Sequence, residues 1–256
     1  MIKFFRKIRQ NLIMENKTGK YFKYAIGEIV LVVIGILIAL QINNWNENRL
    51  TKINQKKYLV LLKQEANNNL IAIKKSKQRV TKTFEGQRKV VELIDANHDT
   101  ISEQYLSKVF FEVFFLTSSF SYENNVFSEL KTSGELKNIS NDSIRNNLMG
   151  LEALVTIIKN QEKSVSGQLE ISSNFINRYG SHRKIFDDNG FNDTFNFPKA
   201  KKYTSNLALL KQKEFENNLF RYSGTVYNLL NWQYPRLEEH LNKLIKMIEE
   251  ELDKSI

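Results

Sequence analysis

Apolar residues recur at steps of three and four positions along three long segments of the chain. This spacing places them on one face of an α-helix, with polar residues on the other faces. In the later segments the steps alternate between four and three, which is typical of bundle or coiled-coil packing. The pattern predicts an all-α domain, an antiparallel bundle of roughly four long or medium helices. The positions are Leu59, Leu62, Ala66, Leu70, Ile73, Val80, Phe84, Val91 and Ile94; then Ile144, Leu148, Leu151, Val155, Ile158, Val165, Leu169 and Ile176, with Glu162 and Ser172 filling the gaps; then Leu219, Tyr222, Val226, Leu229, Gln233, Leu237, Leu241, Leu244 and Ile248.

Short breaks separate the predicted helices. Residues 95–99 interrupt the first pattern, and Thr100 with Glu103 forms a candidate capping box for the helix that follows. That helix is rich in aromatic residues up to Leu116, and we expect it to be short and buried on most sides. It is too short for a second membrane span.

Later breaks are marked by individual residues. A short helix should end near Gly134, since glycine adopts the left-handed conformation that closes helices. Asn141 or Asp142 should cap the next helix. Residues 207–252 are predicted to be helical, and Pro235 must either kink that helix or begin a new one.

Residues 180–205 form the longest stretch without helical periodicity. Loops of this length are uncommon in compact domains unless they are functional or disordered. Five aromatic residues within it lead us to expect that it packs against the domain. The stretch from Asp187 to Asp193 loosely resembles a calcium loop, but it lacks the ligand spacing and the closing glutamate. We therefore predict a glycine turn there and no metal site.

Tyr24–Ile42 departs from the amphipathic pattern. It reads YAIGEIVLVVIGILIALQI, and the twelve residues from Ile29 onward have no polar side chain. At about 1.5 Å per helical residue, it can cross a hydrocarbon core of about 30 Å. It is long for the core of a signal peptide, and its end matches a small-x-small cleavage site poorly. We therefore predict an uncleaved transmembrane helix over residues 24–45.

Basic residues are concentrated before this span. Residues 1–23 contain Lys3, Arg6, Lys7, Arg9, Lys17, Lys20 and Lys23 against Glu15 alone. Met1–Met14 segregates apolar and basic residues as a helix in the membrane surface does. Because positive segments stay in the cytoplasm, we predict that residues 1–23 are cytoplasmic and residues 46–256 periplasmic. Trp45, Lys20 and Lys23 suit the membrane interfaces as anchors.

Two features lie within the predicted span. Gly35 and Ala39 form a small-xxx-small pair, and Glu28 lies on nearly the same helical face. Small residues let helices approach closely, so this face is either an oligomer seam or ordinary span composition. A carboxyl group inside the membrane suggests a proton-linked role. The alternative is that Glu28 reaches the cytoplasmic interface close to Lys20 and Lys23.

Composition excludes several kinds of chemistry. The chain has no cysteine, so disulfides, thiolate metal sites and cysteine nucleophiles cannot occur. Of the net charge of +10, residues 1–23 carry +6, which indicates membrane topology and a lipid-surface partner rather than nucleic acid. The three histidines are far apart, and no HExxH, GxSxG, phosphate-loop or dinucleotide motif occurs. We predict no enzymatic activity, no cofactor, no metal and no nucleic-acid partner.

Two stretches carry a family resemblance. These are YAIGEIVLVVIGILIALQINNWNE, at residues 24–47, and FSELKTSGEL, at residues 127–136, with its Leu-x-x-Ser-Gly-x-Leu pattern. Together with the basic N-terminus and the overall length, they resemble domain of unknown function 6090, a family of uncharacterised membrane proteins common in Bacteroidota. The resemblance implies an inner-membrane protein with a helical exported domain and no assigned activity. Gly27, Glu28, Gly35 and Trp45 belong to the signature that it shares.

The sequence thus predicts one N-terminal transmembrane helix followed by an exported antiparallel helical bundle. Our first hypothesis is a membrane-anchored scaffold or interaction protein that self-associates through Gly35 and Ala39. A second is a sensor-like periplasmic module that binds a ligand and acts through a membrane partner. A third is a proton-linked accessory subunit that uses Glu28. The expected partners are the lipid bilayer and either a second copy or another membrane protein.

Overall fold

A single long helix, α1, spans Thr18–Asp95 and contains both the predicted transmembrane segment and the first amphipathic segment. The protein is described by a computed structural model that covers residues 18–116 and 119–254. The predicted surface helix at Met1–Met14 lies outside the described residues. Residues Met1–Lys57 and Tyr58–Ile256 form two compact units. Every regular element of the described residues is helical, which confirms the all-α fold class.

The remaining elements follow in chain order. The α-helices are α2 (Glu103–Phe114), α3 (Asn125–Thr132), α4 (Asp142–Tyr179), α5 (His182–Asp188), α6 (Phe191–Phe195), α7 (Lys213–Asn228) and α8 (Tyr234–Asp253). Short 3-10 helices cover His98–Thr100, Glu135–Asn138 and Asn206–Lys211, and a π-helical turn at Leu229–Gln233 joins α7 to α8.

Within the second unit, α1 runs antiparallel to α7 and α8. Lys63 near the start of this part of α1 lies 2.7 Å from Glu249 in α8. Further along, the Phe84 ring lies 5.8 Å from the Tyr227 ring in α7. The residue number rises along α1 while it falls along its partner helices, so the two run in opposite directions.

The same C-terminal helices run antiparallel to α4. The Asn141 side chain, at the cap of α4, donates to Glu251 at 2.9 Å. The Gln161 side chain, about twenty residues later, donates to the Thr225 carbonyl at 2.8 Å. These contacts confirm the antiparallel helical bundle, with α2 and α3 packed against its long helices.

The predicted apolar stripes supply most of the core. Phe84, Val91, Ile94, Val165 and Leu169 are only partly buried, and they pack at its edge. The buried members of the stripes are Leu59, Leu62, Ala66, Leu70, Ile73, Val80, Ile144, Leu148, Leu151, Val155, Ile158, Ile176, Leu219, Tyr222, Val226, Leu229, Leu237, Leu241, Leu244 and Ile248. Of the aromatic residues of α2, Phe110 and Phe114 are buried and Phe111 is partly buried, whereas Tyr105 is 47% exposed.

The predicted capping box at the start of α2 is wrong. Ser102 is the capping residue, and its hydroxyl accepts a hydrogen bond from the Tyr105 backbone N–H at 3.1 Å. The chain is still extended at Ser102, so the helix begins two residues later than a cap at Thr100 requires. Glu103 instead accepts a hydrogen bond from the distant Asn206 backbone N–H at 2.7 Å. A tertiary contact has replaced the local one.

Two other predicted helix ends are confirmed. Asn141 caps α4, and its side-chain oxygen accepts from the backbone N–H groups of Ser143 and Ile144 at 3.0 and 3.3 Å. Gly134 follows α3 with φ of 75°, in the left-handed region where residues with a Cβ are strained.

Residues 180–205 are more ordered than their pattern predicts, because they contain α5 and α6. Helices of seven and five residues are too short to display a helical period in the sequence. The expectation that the aromatic residues pack down is only partly met. Phe186 and Phe191 pack against Phe111, at ring distances of 6.4 and 4.8 Å. Phe195, Phe197 and Tyr203 remain 57%, 65% and 49% exposed.

The C-terminal helix is interrupted where Pro235 enters it. Proline has no N–H to donate within the helix, and a wider π-helical turn at Leu229–Gln233 accommodates it. The extra residue in that turn shifts the buried face by one position. Tyr234 is therefore fully buried, whereas Gln233, which the stripe included, is only half-buried. The helix also starts at Lys213 rather than at residue 207.

Candidate functional site

The predicted transmembrane segment is exposed from Ile29 to Trp45. The large apolar side chains from Ile29 to Ile42 are between 46% and 64% exposed. This part of α1 has a mean hydropathy of 2.6 over eighteen residues, none of them buried, and it lies near the N-terminus. By length and composition it can cross a membrane, a test that core helices and signal sequences also pass.

The residues of the predicted seam lie in this exposed segment. Gly35 and Ala39 are one helical turn apart, and a Cβ placed on Gly35 would meet no other atom within 4 Å. Glu28 is half-buried and already interacts with another group of the chain. The seam and the role of Glu28 both stay predictions.

The predicted anchors lie at the two ends of the segment. Trp45 is 67% exposed, and the Arg49 guanidinium lies 5.9 Å from the centre of its ring. This stacking fits a Trp and Arg pair at a membrane interface. Lys23 is exposed, and the side chain of Lys20 lies outside the described residues.

A cavity of about 490 Å³ lies within residues 180–205, the stretch that lacks helical periodicity in the sequence. We call it the aromatic cavity. Its lining residues come from α5, from α6 and from the turn after α6, and they are Arg183, Phe186, Asn192, Phe195, Phe197 and Pro198. The aromatic residues are visible in the sequence, but nothing in the sequence shows that they surround a cavity.

Local hydrogen bonds shape the aromatic cavity. Ser181 caps α5, and its hydroxyl accepts from the Lys184 backbone N–H at 3.2 Å. The backbone N–H of Phe197 donates to the Asn192 carbonyl at 2.8 Å, which closes the turn after α6. The Arg183 guanidinium donates to the Pro198 carbonyl at 2.5 Å. The turn after α6 is therefore fastened to both helices.

The predicted glycine turn within this region is confirmed at Gly190, whose φ is 78°. The acidic residues around it serve structural contacts. The Asp187 carboxylate accepts from the Ala200 backbone N–H at 2.8 Å, and Asp188 pairs with Lys184 at 2.5 Å. Among the described residues, no group of three metal-binding side chains could hold an ion.

Two polar groups line the otherwise apolar wall of the aromatic cavity. Arg183 is exposed at its rim, and Asn192 is 6% exposed. The Nδ2 group of Asn192 is buried and has no acceptor among the described residues. A buried donor without a partner costs about 1–3 kcal/mol. An acceptor in the cavity would bond to it once the side chain turns, because the Nδ2 atom has almost no accessible surface in the free chain.

His182 lies beside this region, with its ring 5.2 Å from the ring of Phe115. Its Nε2 donates to the Ser173 carbonyl at 3.3 Å. Burial lowers the pKa of His182, and the hydrogen bond to Ser173 acts more weakly in the opposite direction. The folded chain thus favours the neutral imidazole.

This lowered pKa gives a prediction for the pH dependence of stability. In the unfolded chain His182 should titrate near pH 6.5. As the pH falls below that value, the unfolded chain binds the proton first, so the free energy of unfolding decreases. Urea unfolding between pH 7.5 and 5.5 should therefore show a steeper loss for the wild type than for His182→Gln. Above pH 7.5 the two free energies of unfolding should change with pH at the same rate. Parallel pH profiles over the whole range would contradict the assignment.

Two buried carboxylates hold the segment between α2 and α3. Glu162 of α4 is 7% exposed, and one of its oxygens accepts from the Phe120 backbone N–H at 2.6 Å and from the Tyr234 hydroxyl at 2.9 Å. Its other oxygen pairs with Lys159 at 2.9 Å, and Lys159 also donates to the Phe120 carbonyl. Burial and then the Glu162 charge raise the pKa of Tyr234, which keeps its hydroxyl a donor.

Glu65 of α1 holds the other end of this segment. Its two oxygens accept from the backbone N–H groups of Val126 and Phe127 at 2.8 and 3.2 Å, at the N-terminus of α3. One turn later, Asn69 exchanges two hydrogen bonds with the backbone of Glu123, at 2.9 and 2.7 Å. Burial raises the pKa of Glu65, while the two backbone donors act in the opposite direction. These roles are structural.

The chain was compared with protein families, with curated proteins and with solved structures. Residues 28–134 match the model of a family of unknown function, DUF6090. The match confirms the predicted resemblance over this part, and the likeness over the remaining residues stays a prediction. It contains the exposed segment of α1, the Glu65 contacts and α3, and it ends before Glu162 and the aromatic cavity. No curated protein and no solved structure matches the chain.

Proposed function

We propose that this chain is a single-pass inner-membrane protein that serves as a membrane-anchored scaffold. Its N-terminus would lie in the cytoplasm and residues 46–256 in the periplasm. The observation that carries the proposal is the exposed apolar segment of α1 from Ile29 to Ile42. Among the described residues, the hydrophobic core is built from residues after position 57 and includes no residue of this segment. An apolar surface of that length is stable only if lipid or protein covers it.

The orientation rests on charge and on the interfacial residues. Residues 1–23 carry seven basic residues and one acidic residue, and positive segments remain in the cytoplasm. Trp45 with its stacked Arg49 would then mark the periplasmic interface.

Self-association through the seam is the second part of the proposal. Gly35 and Ala39 have small side chains, and a Cβ built on Gly35 would meet no neighbouring atom of the described residues within 4 Å. In a membrane, close backbone approach at such pairs stabilises helix dimers by van der Waals packing. The second helix would come from another copy of this chain.

Cysteine crosslinking tests the seam directly, because the chain has no native cysteine. Single Gly35→Cys and Ala39→Cys variants in native membranes should give an oxidised dimer. Leu37→Cys is the matched control, since it lies about 200° around the helix from Gly35. Equal crosslinking at all three positions, or none in a chain shown to be inserted, would contradict the seam.

A second candidate function is a sensor-like module that binds a ligand and acts through a membrane partner. The aromatic cavity favours it, because cavities of 300–1,000 Å³ with apolar walls and a few polar groups are typical of ligand sites. The proton-linked role of Glu28 remains a hypothesis, and its interaction with another group of the chain fits the structural alternative equally.

A further inference from the structure

We propose that the aromatic cavity binds a small apolar carboxylate, an arylalkanoic acid being the simplest example. In this complex the apolar part of the ligand lies among Phe186, Phe195 and Phe197. Its carboxylate accepts hydrogen bonds from Arg183 and Asn192. The proposal rests on the ligand-binding candidate function and names the chemical class of its ligand.

The apolar walls of the cavity require a ligand with an apolar group. Three phenylalanines and Pro198 contribute most of its surface. The ring centres of Phe195 and Phe197 lie 6.1 Å apart, and both rings are more than half exposed. An apolar group that enters between two exposed aromatic side chains displaces water from both, and this burial of apolar surface favours binding.

Arg183 and Asn192 determine which polar group the ligand carries, because both supply hydrogen-bond donors. A guanidinium has five N–H donors and no acceptor, and Arg183 uses its contact with the Pro198 carbonyl to hold its position. The unpartnered Nδ2 of Asn192 is a donor as well, and it meets the ligand when its side chain turns toward the cavity, since the atom has almost no accessible surface in the free chain. A ligand must therefore bring acceptors, and a carboxylate offers two oxygens to both donors.

The surrounding charges leave Arg183 available for an anion. Asp188 is neutralised by Lys184, and Asp193 lies 3.6 Å from Lys199. Within the described residues, no ion pair engages Arg183. Two further lysines follow at positions 201 and 202, so the segment after α6 adds positive charge on this side. Asp187, one turn after Arg183 in α5, has no ion pair among the described residues, and its carboxylate accepts only from the Ala200 N–H. Arg183 with these two lysines outnumbers it, so the charge balance favours a negative ligand.

Calorimetric titration of the full chain in lipid nanodiscs tests this proposal. The probe is 3-phenylpropionate, and 3-phenyl-1-propanol is its uncharged counterpart. Empty nanodiscs correct for partition into lipid. We expect 3-phenylpropionate to bind, and Arg183→Gln to weaken its binding about 10- to 100-fold, as expected for a charge-assisted hydrogen bond. Arg178→Gln is the matched control, because Arg178 is also exposed and does not line the cavity.

The outcomes separate the ligand class from the ligand site. Equal binding of the acid and the alcohol, with no effect of Arg183→Gln, would overturn carboxylate recognition but leave an apolar ligand site. Absence of binding by both probes would overturn this proposal but not the sensor-like candidate function, which names no ligand. Equal weakening by the Arg178 and Arg183 variants would also overturn the proposal, as it would indicate only a general charge effect. The crosslinking test of the scaffold is independent of all three results.

Discussion

Replacing Glu162 with leucine should lower the free energy of unfolding of the helical domain by about 3 kcal/mol or more. The change removes the acceptor of the Phe120 backbone N–H and of the Tyr234 hydroxyl. Both donors are buried and would lose their partner without gaining water. Lys159 would lose its counter-charge as well, although its partial exposure lets it turn toward solvent.

The chain offers a close control for this prediction. Glu152 lies in the same helix, α4, and forms an ion pair with Lys131 at 2.8 Å on the surface. Exposed pairs of this kind contribute about 0–1 kcal/mol, so Glu152→Leu should have little effect. Thermal unfolding of both full-length variants in detergent, followed by far-UV circular dichroism, should show a Tm about 6–12 °C lower for Glu162→Leu. Similar Tm values for the two variants would rule out a central role for the Glu162 hydrogen bonds.

A second large effect is expected in the apolar segment of α1. Replacing both Ile34 and Leu37 with arginine should prevent this segment from entering the membrane. Each arginine at the centre of a span costs about 2.5–3.5 kcal/mol and also removes a favourable apolar residue, so the pair costs about 6 kcal/mol or more. The variant should leave the carbonate-resistant membrane fraction.

The matched control is the pair Leu50→Arg and Ile53→Arg, two exposed apolar residues of the same helix beyond Trp45. This pair should remain membrane-bound. A Lys254→Cys reporter near the C-terminus adds a test of topology, because a membrane-impermeant maleimide should label it in intact spheroplasts. Labelling only after lysis would show that the helical domain lies on the cytoplasmic side. Membrane retention of the Ile34 and Leu37 variant would contradict the span.

The all-α class and much of the core could be predicted because they depend on local spacing. Residues such as Ile144, Leu148 and Leu151 are buried because they share one face of a helix, and the sequence alone determines that face. The cap at Asn141 is equally local, since it needs only the chain to turn at that residue. Likewise, the exposed apolar segment of α1 is visible in composition without any tertiary contact.

The contacts that depend on tertiary structure could not be predicted. Glu162 was visible only as a polar residue in an apolar stripe. Two of its three partners, Phe120 and Tyr234, come from distant parts of the chain, and only Lys159 is a local neighbour. Glu103 matched a local capping pattern, yet it bonds to residue 206 instead. The aromatic cavity was missed because α5 and α6 are too short to show a period. Its walls meet only when the turn after Phe195 folds back on α5.

The position of Glu162 also bears on where this chain can be cut. A fragment ending at residue 134, where the family match stops, would keep the Glu65 and Asn69 contacts. It would lack the carboxylate that receives the Phe120 amide, and it would expose the apolar face that α4, α7 and α8 normally cover. Expression of the matched region alone should therefore yield aggregated material. The end of the family match at residue 134 would then not coincide with the boundary of an independently folding unit.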